Sequence, residues 1–173
     1  QKSAPEFNQI YPEGLDETLV CYNSRLIGQF DLADKEIAVL LSEVKVGHIL
    51  VSLDCCHSGS GVRDDDGHAK VRTAPNPVQF RPLSSYIDGY YQTQLNSSGN
   101  INIPDAKHVL IAACNRFQLA KEHFTGTGVF TRTLTSVLNR YQVPPTYLEL
   151  FWEVRSTIFR EQKSQTPQFQ NHG

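Results

Sequence analysis

The chain has no methionine, a single tryptophan and only four cysteines among its 173 residues. It has no run approaching the ~18 consecutive apolar residues of a membrane-spanning helix. It also has no excess of basic charge, since 16 Lys and Arg stand against 18 Asp and Glu for a formal charge of -2. The missing apolar run excludes a helical membrane span, and the balanced charge excludes a basic face for nucleic acid. The cysteines, at positions 21, 55, 56 and 114, do not have the spacing of a small secreted disulfide scaffold. Adjacent Cys55 and Cys56 are poorly placed to bridge each other, so free thiols in a reducing, cytoplasmic compartment are expected. The opening QKSAPEFNQI lacks the charged and apolar regions of a signal peptide. With the missing methionine, this leads us to expect an upstream segment.

The length suits one domain spanning residues 1–173, with enough chain to bury a core of two or three layers. TLVCYN at 18–23 reads as a strand after the polar turn PEGLDE. In DLADKEIAVLLSEV the residues Ile37, Leu40, Leu41 and Val44 share one helical face, and Asp31 or Asp34 is available to cap the first turn. HILVSLD, rich in β-branched residues and ending at Asp54, reads as a buried parallel strand. Residues 60–105 hold DDDGH, APNP and NSSGN without a sustained period, and are expected to form a long surface loop.

A second buried strand is expected in HVLIAAC at 108–114. A helix follows in GVFTRTLTSVL, with Phe130, Leu134, Val137 and Leu138 as its stripe, and another in TYLELFWEVRSTIFRE, where Thr146 and Glu149 make a capping box. Alternating strands and helices indicate an α/β fold with a mainly parallel sheet. Such sheets carry reactive groups at the carboxyl ends of their strands.

The stretch LDCCHSGSG at 53–61 stands at such an end. Zinc would need three or four ligands at suitable spacing, whereas Cys55, Cys56 and His57 are consecutive and have no CxxC or HxxxH partner. A redox pair would prefer CxxC. Burial as small apolar residues accounts for Cys55. It accounts poorly for Cys56, because alternation along a strand turns neighbouring side chains to opposite faces. The small residues HSGSG leave room for exposed amides beside the Cys56 sulfur, as a nucleophile that must hold an oxyanion requires.

DCCHSGSG resembles the D-x-C-H-S-G motif of the caspase-like cysteine peptidases, in particular the metacaspases and their bacterial relatives, the orthocaspases. PEGLDETLV resembles the loop after the family's catalytic histidine, and FDLADKEIAVLL its next helix. IAACNRFQLAKE with GVFTRTLTSVL resembles the small-subunit strand and helix, and SQTPQ the closing segment. The segments cover nearly the whole chain in the family's order. The resemblance implies a caspase-like three-layer α/β/α sandwich and hydrolysis of peptide bonds through an acyl-enzyme on Cys56, whose amide supplies an oxyanion donor. It leaves His57 structural.

The general base is expected on an upstream segment. The caspase pattern puts that histidine about 50 residues before the cysteine, and His48, His68, His108, His123 and His172 lack the context. Asp54, two residues before the nucleophile, is expected to select Arg or Lys in the substrate through charge-assisted hydrogen bonds. Its alternative role is to cap a neighbouring loop. Gln118 and Glu122 are candidate pocket contacts. Metacaspases often respond to calcium, for which Asp34 and residues 64–66 are candidate ligands; three acids in a row are ordinarily solvated, and no cofactor is assigned. Two other functions are compatible with the motifs: an inactive caspase-like binding or scaffolding module, and a CHAT-type peptidase, which usually lacks CHSG. The expected partner is a protein or peptide with a basic residue before the cleaved bond. Arg63, Lys70, Arg72 and Arg81 are candidate points of self-cleavage.

Overall fold

A computed structural model describes residues 1–55, 80–115, 117–123 and 126–173. They fall into two compact units, one within Gln1–Val46 and Asn76–Ala106, the other within Gly47–Pro75 and Lys107–Gly173.

The second unit is built on a three-stranded sheet of order β3-β4-β5, with β3 at Leu50–Leu53, β4 at Val109–Ala112 and β5 at Gln168–Asn171. β3 and β4 run parallel from Leu50↔Val109 to Leu53↔Ala112, while β5 is antiparallel to β4. The fold is therefore α/β with a mixed sheet. Helices α3 (Val129–Leu138) and α4 (Tyr147–Glu161) supply its core. Phe130 and Val137 of α3, Leu150, Phe151, Val154 and Ile158 of α4, and Ile111 of β4 are buried together. The repeats of three and four residues bring these side chains onto one face of each helix. The expected stripe of α3 ends a turn early: Leu134 packs against the core, but Leu138 is exposed. α4 starts as expected, with Thr146 Oγ1 accepting the Glu149 N–H and Glu149 Oε2 accepting the Thr146 N–H.

In the first unit β1 (Thr18–Leu19) pairs antiparallel with β2 (Leu32–Ala33), which leads into α1 (Asp34–Glu43). β1 stops well short of the expected 18–23, because Ser24 and Arg25 turn back to bind Asp31. The burial expected for α1 is corrected. Leu40 and Val44 are exposed, whereas Lys35, Glu36 and Val39 are buried. Polar partners explain the reversal. Lys35 Nζ lies 2.8 Å from Asp16 Oδ1 and faces the Tyr11 ring. Glu36 takes a two-pronged ion pair from Arg81 and accepts the Ala33 N–H at the helix start. That last bond does the work expected of Asp31 or Asp34.

Residues 83–98, expected to belong to a loop, contain short 3-10 turns at Leu83–Ser85 and Ile87–Gly89 and helix α2 at Tyr90–Ser98. Tyr86 and Tyr91 anchor them by packing edge-to-face on Phe7, each with ring centroids 5.1 Å away. The Tyr86 hydroxyl also donates to Asp16 Oδ2 and the Tyr91 hydroxyl to the Lys35 carbonyl. These anchors lie far away in sequence, so local periodicity carries no sign of them. No helix among the described residues is long and apolar enough to cross a membrane.

Candidate active site

β3 ends at Leu53, which pairs with Ala112 and whose carbonyl accepts the Ala113 N–H at 2.8 Å. Asp54 and Cys55 follow directly. Cys56, His57 and the acids at 64–66 lie outside the described residues. Cys114 Sγ is 3.9 Å from the Cys55 carbonyl and 3.4 Å from that of Gln118.

The half-buried carboxylate of Asp54 meets the start of α3. Its Oδ2 accepts the Thr131 backbone N–H at 3.1 Å and the Thr131 hydroxyl at 2.6 Å. The first amides of any helix lack intrahelical acceptors and attract negative charge. Gly128 at the N-cap position has no side chain to serve them, so Asp54, 77 residues before Thr131, does. The close approach requires glycine for space, since its φ of -61° is ordinary. A Cβ on Gly128 would overlap Asp54 Oδ2 and lie 2.6 Å from Asp54 Cγ.

The backbone before α3 doubles back, with the Val129 N–H donating to the Lys121 carbonyl and Glu122 bridging to Gly128. Behind it, Gln118 and Thr166 exchange two hydrogen bonds, Gln118 Nε2 to Thr166 Oγ1 and Thr166 N–H to Gln118 Oε1. Fully buried Gln165 accepts the Lys121 N–H and donates to the Ala113 carbonyl. SQTPQ thus braces the segment that carries Gln118 and Glu122. The Gln118 amide, proposed from sequence as a pocket contact, is engaged in this brace.

Among the described histidines, His108 and His172 stack with centroids 4.4 Å apart. They lie at the end of the sheet away from Asp54, as the register Leu50↔Val109↔Asn171 requires. His48 precedes β3 and is exposed. His123 Nε2 is 2.9 Å from Arg132 Nη1. Asp34, a candidate calcium ligand, accepts from Lys35 Nζ at 3.2 Å. No group of three or more His, Cys, Asp or Glu among the described residues could hold a metal ion.

Gly128 and Thr131 escaped the sequence reading. The signal available for them was TGTGVFT, a helix start whose N-cap glycine calls for a cap from elsewhere in the chain.

The family model described as the caspase domain matches residues 7–173. Among solved structures, protein GSU0716 from Geobacter sulfurreducens is similar at 24% identity and a TM-score of 0.58, a likeness of fold. The alignment covers 98% of this chain and 62% of that one, so the chain spans less than two thirds of that protein. Comparison with curated proteins gives no match.

Proposed function

Because this chain belongs to the caspase-domain family of cysteine peptidases, we propose that it forms an endopeptidase that cuts after Arg or Lys, with Cys56 as nucleophile and Asp54 as the group that recognises the basic side chain. Within the family, the resemblance of DCCHSGSG to D-x-C-H-S-G supports our reading of it as a metacaspase-like or orthocaspase-like member. The observation that carries the reading is the fixed Asp54 carboxylate at the carboxyl end of β3, two residues before Cys56.

The Cys56 thiolate attacks the peptide carbonyl carbon, and the carbonyl electron pair moves onto oxygen, where the Cys56 N–H stabilises it. Collapse of this intermediate expels the amine, protonated by a histidine from the upstream segment, and leaves a thioester. Water then attacks the thioester, restoring the thiol and releasing the acid. An aspartate beside the bound side chain pairs with guanidinium or ammonium and repels a substrate carboxylate. We propose a cytoplasmic location, since adjacent Cys55 and Cys56 are poorly placed to bridge each other and the cysteine spacing is not that of a secreted disulfide scaffold.

Hydrolysis of fluorogenic peptides ending in Arg, Lys or Asp tests the proposal. Cys56→Ala is expected to abolish cleavage and Cys55→Ala to keep most of it. Asp54→Asn is expected to lower kcat/KM for Arg by about 2 kcal/mol or more, as loss of a desolvated charge pair does. Efficient cleavage after Asp with little after Arg would overturn the basic specificity. A folded protein of full activity carrying Cys56→Ala would remove the nucleophile assignment and favour a non-catalytic module contaminated by another enzyme.

A further inference from the structure

The geometry points to Thr131 as a positioning residue for substrate selection: its hydroxyl, with the space left by Gly128, holds the Asp54 carboxylate in the orientation that receives a basic side chain. The inference rests on the proposed role of Asp54 and goes beyond it, because neither Thr131 nor Gly128 belongs to the nucleophile motif.

Asp54 follows the last residue of β3, beyond the hydrogen-bonded register that ends at Leu53↔Ala112. A carboxylate on one methylene beyond a strand end can adopt several rotamers, and a ligand that had to select one of them would bind less tightly. Three features remove that freedom. The Thr131 N–H fixes Oδ2 from the helix axis at 3.1 Å, and the Thr131 hydroxyl fixes the same oxygen at 2.6 Å. Gly128 allows the carboxylate to lie against the backbone where any Cβ would collide with it. The restraint comes from α3, a rigid element whose Phe130 and Val137 are fully buried, and support of this kind gives binding groups their precision. Thr131 itself is exposed and adds nothing to that core, so its side chain is free to be judged by what it does to Asp54.

A purely structural cap makes different predictions. Asparagine caps helices about as well as aspartate, so Asp54→Asn preserves the cap while removing the charge. Thr131→Val preserves the charge and the backbone amide while removing the hydroxyl, and Thr131→Ser restores the hydroxyl.

The test measures benzamidine affinity by calorimetry for the parent protein and these three variants. It also measures kcat/KM on paired peptides with arginine or its uncharged isostere citrulline before the cleaved bond. Thr131→Val is expected to weaken benzamidine by about tenfold, the effect of one hydrogen bond to a charged group. The arginine-to-citrulline ratio should fall in parallel while citrulline cleavage is unchanged, and Thr131→Ser should recover most of both. If Thr131→Val keeps the parent's affinity and ratio while Asp54→Asn loses them, the positioning role is overturned and the reading of Asp54 stands. If Asp54→Asn also keeps them, or if the parent binds benzamidine no better than neutral benzamide, the reading of Asp54 falls and the role of Thr131 falls with it. A fall in melting temperature with an unchanged ratio in Thr131→Val marks a structural cap and likewise overturns the proposal.

Discussion

Lys35 and Asp16 show how much one residue can matter in the first unit. Their charged groups stand 2.8 Å apart with side chains 1% and 0% exposed, and Tyr86 holds the other Asp16 oxygen. Burial, then the hydrogen bond to Asp16 and its charge, pushes the Tyr86 hydroxyl far above its ordinary pKa, so it remains a donor at all working pH values. Replacing Lys35 by Met strands a buried carboxylate. The expected loss is about 3–5 kcal/mol in urea unfolding. Removing Arg140 from its exposed 2.9 Å pair with Glu153 should instead sit at the small end of the scale for surface pairs. Gly128 makes the corresponding point in the second unit. Gly128→Ala is expected to displace the Asp54 carboxylate and lower the arginine-to-citrulline ratio, even though alanine suits the backbone angles there. An unchanged ratio, together with a crystal structure of the variant that keeps Asp54 against Thr131, would contradict the close approach.

Elements in this chain are held by few local signals and several distant ones. α4 is the local case: its capping box is written in the sequence, and Thr146→Ala should cost about 1 kcal/mol of stability, read from the shift in urea midpoint. The turn between β1 and β2 is held by side chains that meet across it. Asp31, 1% exposed, gathers Arg25 at 2.8 Å, Ser24 at 2.7 Å and Thr18 at 3.3 Å. Burial acts to raise its pKa, but the bonds from Arg25 and Ser24 outweigh it and the net shift is downward from 3.8. A carboxylate with a lowered folded pKa contributes stability that is fully present above its unfolded value and is lost as pH falls through the folded one. The contribution of Asp31 should therefore persist down to about pH 4 and fade below it. Comparing urea midpoints of parent and Asp31→Asn from pH 7 to pH 2 should show a gap that closes only at the acid end. A gap constant across that range would rule out this linkage.

At the scale of the whole molecule, each unit is assembled from chain on both sides of residues 56–79. In the first, Arg81 binds Glu36, Tyr86 binds Asp16 and Tyr91 binds the Lys35 carbonyl. In the second, β3 pairs with β4 and Asp54 binds Thr131. A cut between the two halves would leave both sets of contacts in place. Of the four basic residues proposed as self-cleavage points, Arg81 is 2% exposed and bound to Glu36, so a peptidase that needs an extended, accessible segment cannot use it. Arg63, Lys70 and Arg72 lie outside the described residues. Incubation of active protein beside Cys56→Ala, followed by sequencing of new amino termini, should find cuts after one of those three and none after Arg81. The fragments should elute together from a sizing column. Separation of the fragments without denaturant would show that the strand pairing and the buried ion pairs are insufficient to hold them.

The sequence by itself determined where β3, β4, α3 and α4 lie, because each is a continuous apolar or amphipathic pattern whose period is read over neighbouring residues, and α4 announces its own start through Thr146 and Glu149. The burial expected of β3 is corrected, since Leu50 and Ser52 are exposed and Val51 and Leu53 only half-buried. It also determined the family, through a nucleophile motif in which residue type and spacing are dictated by chemistry. Tertiary structure alone decided which face of α1 is buried, since Lys35 and Glu36 look like surface residues until Asp16 and Arg81 arrive from elsewhere in the chain. It alone decided that residues 83–98 are largely helical, since Tyr86 and Tyr91 are anchored by Phe7 near the start of the sequence. The candidate site divides in the same way. Asp54 was legible from its place in the motif, whereas Thr131 and Gly128 acquire their meaning only when the fold carries the start of α3 to the end of β3. A hydrogen bond spanning 77 residues leaves no periodic trace in a sequence, because its partners are brought together by the packing of the elements between them.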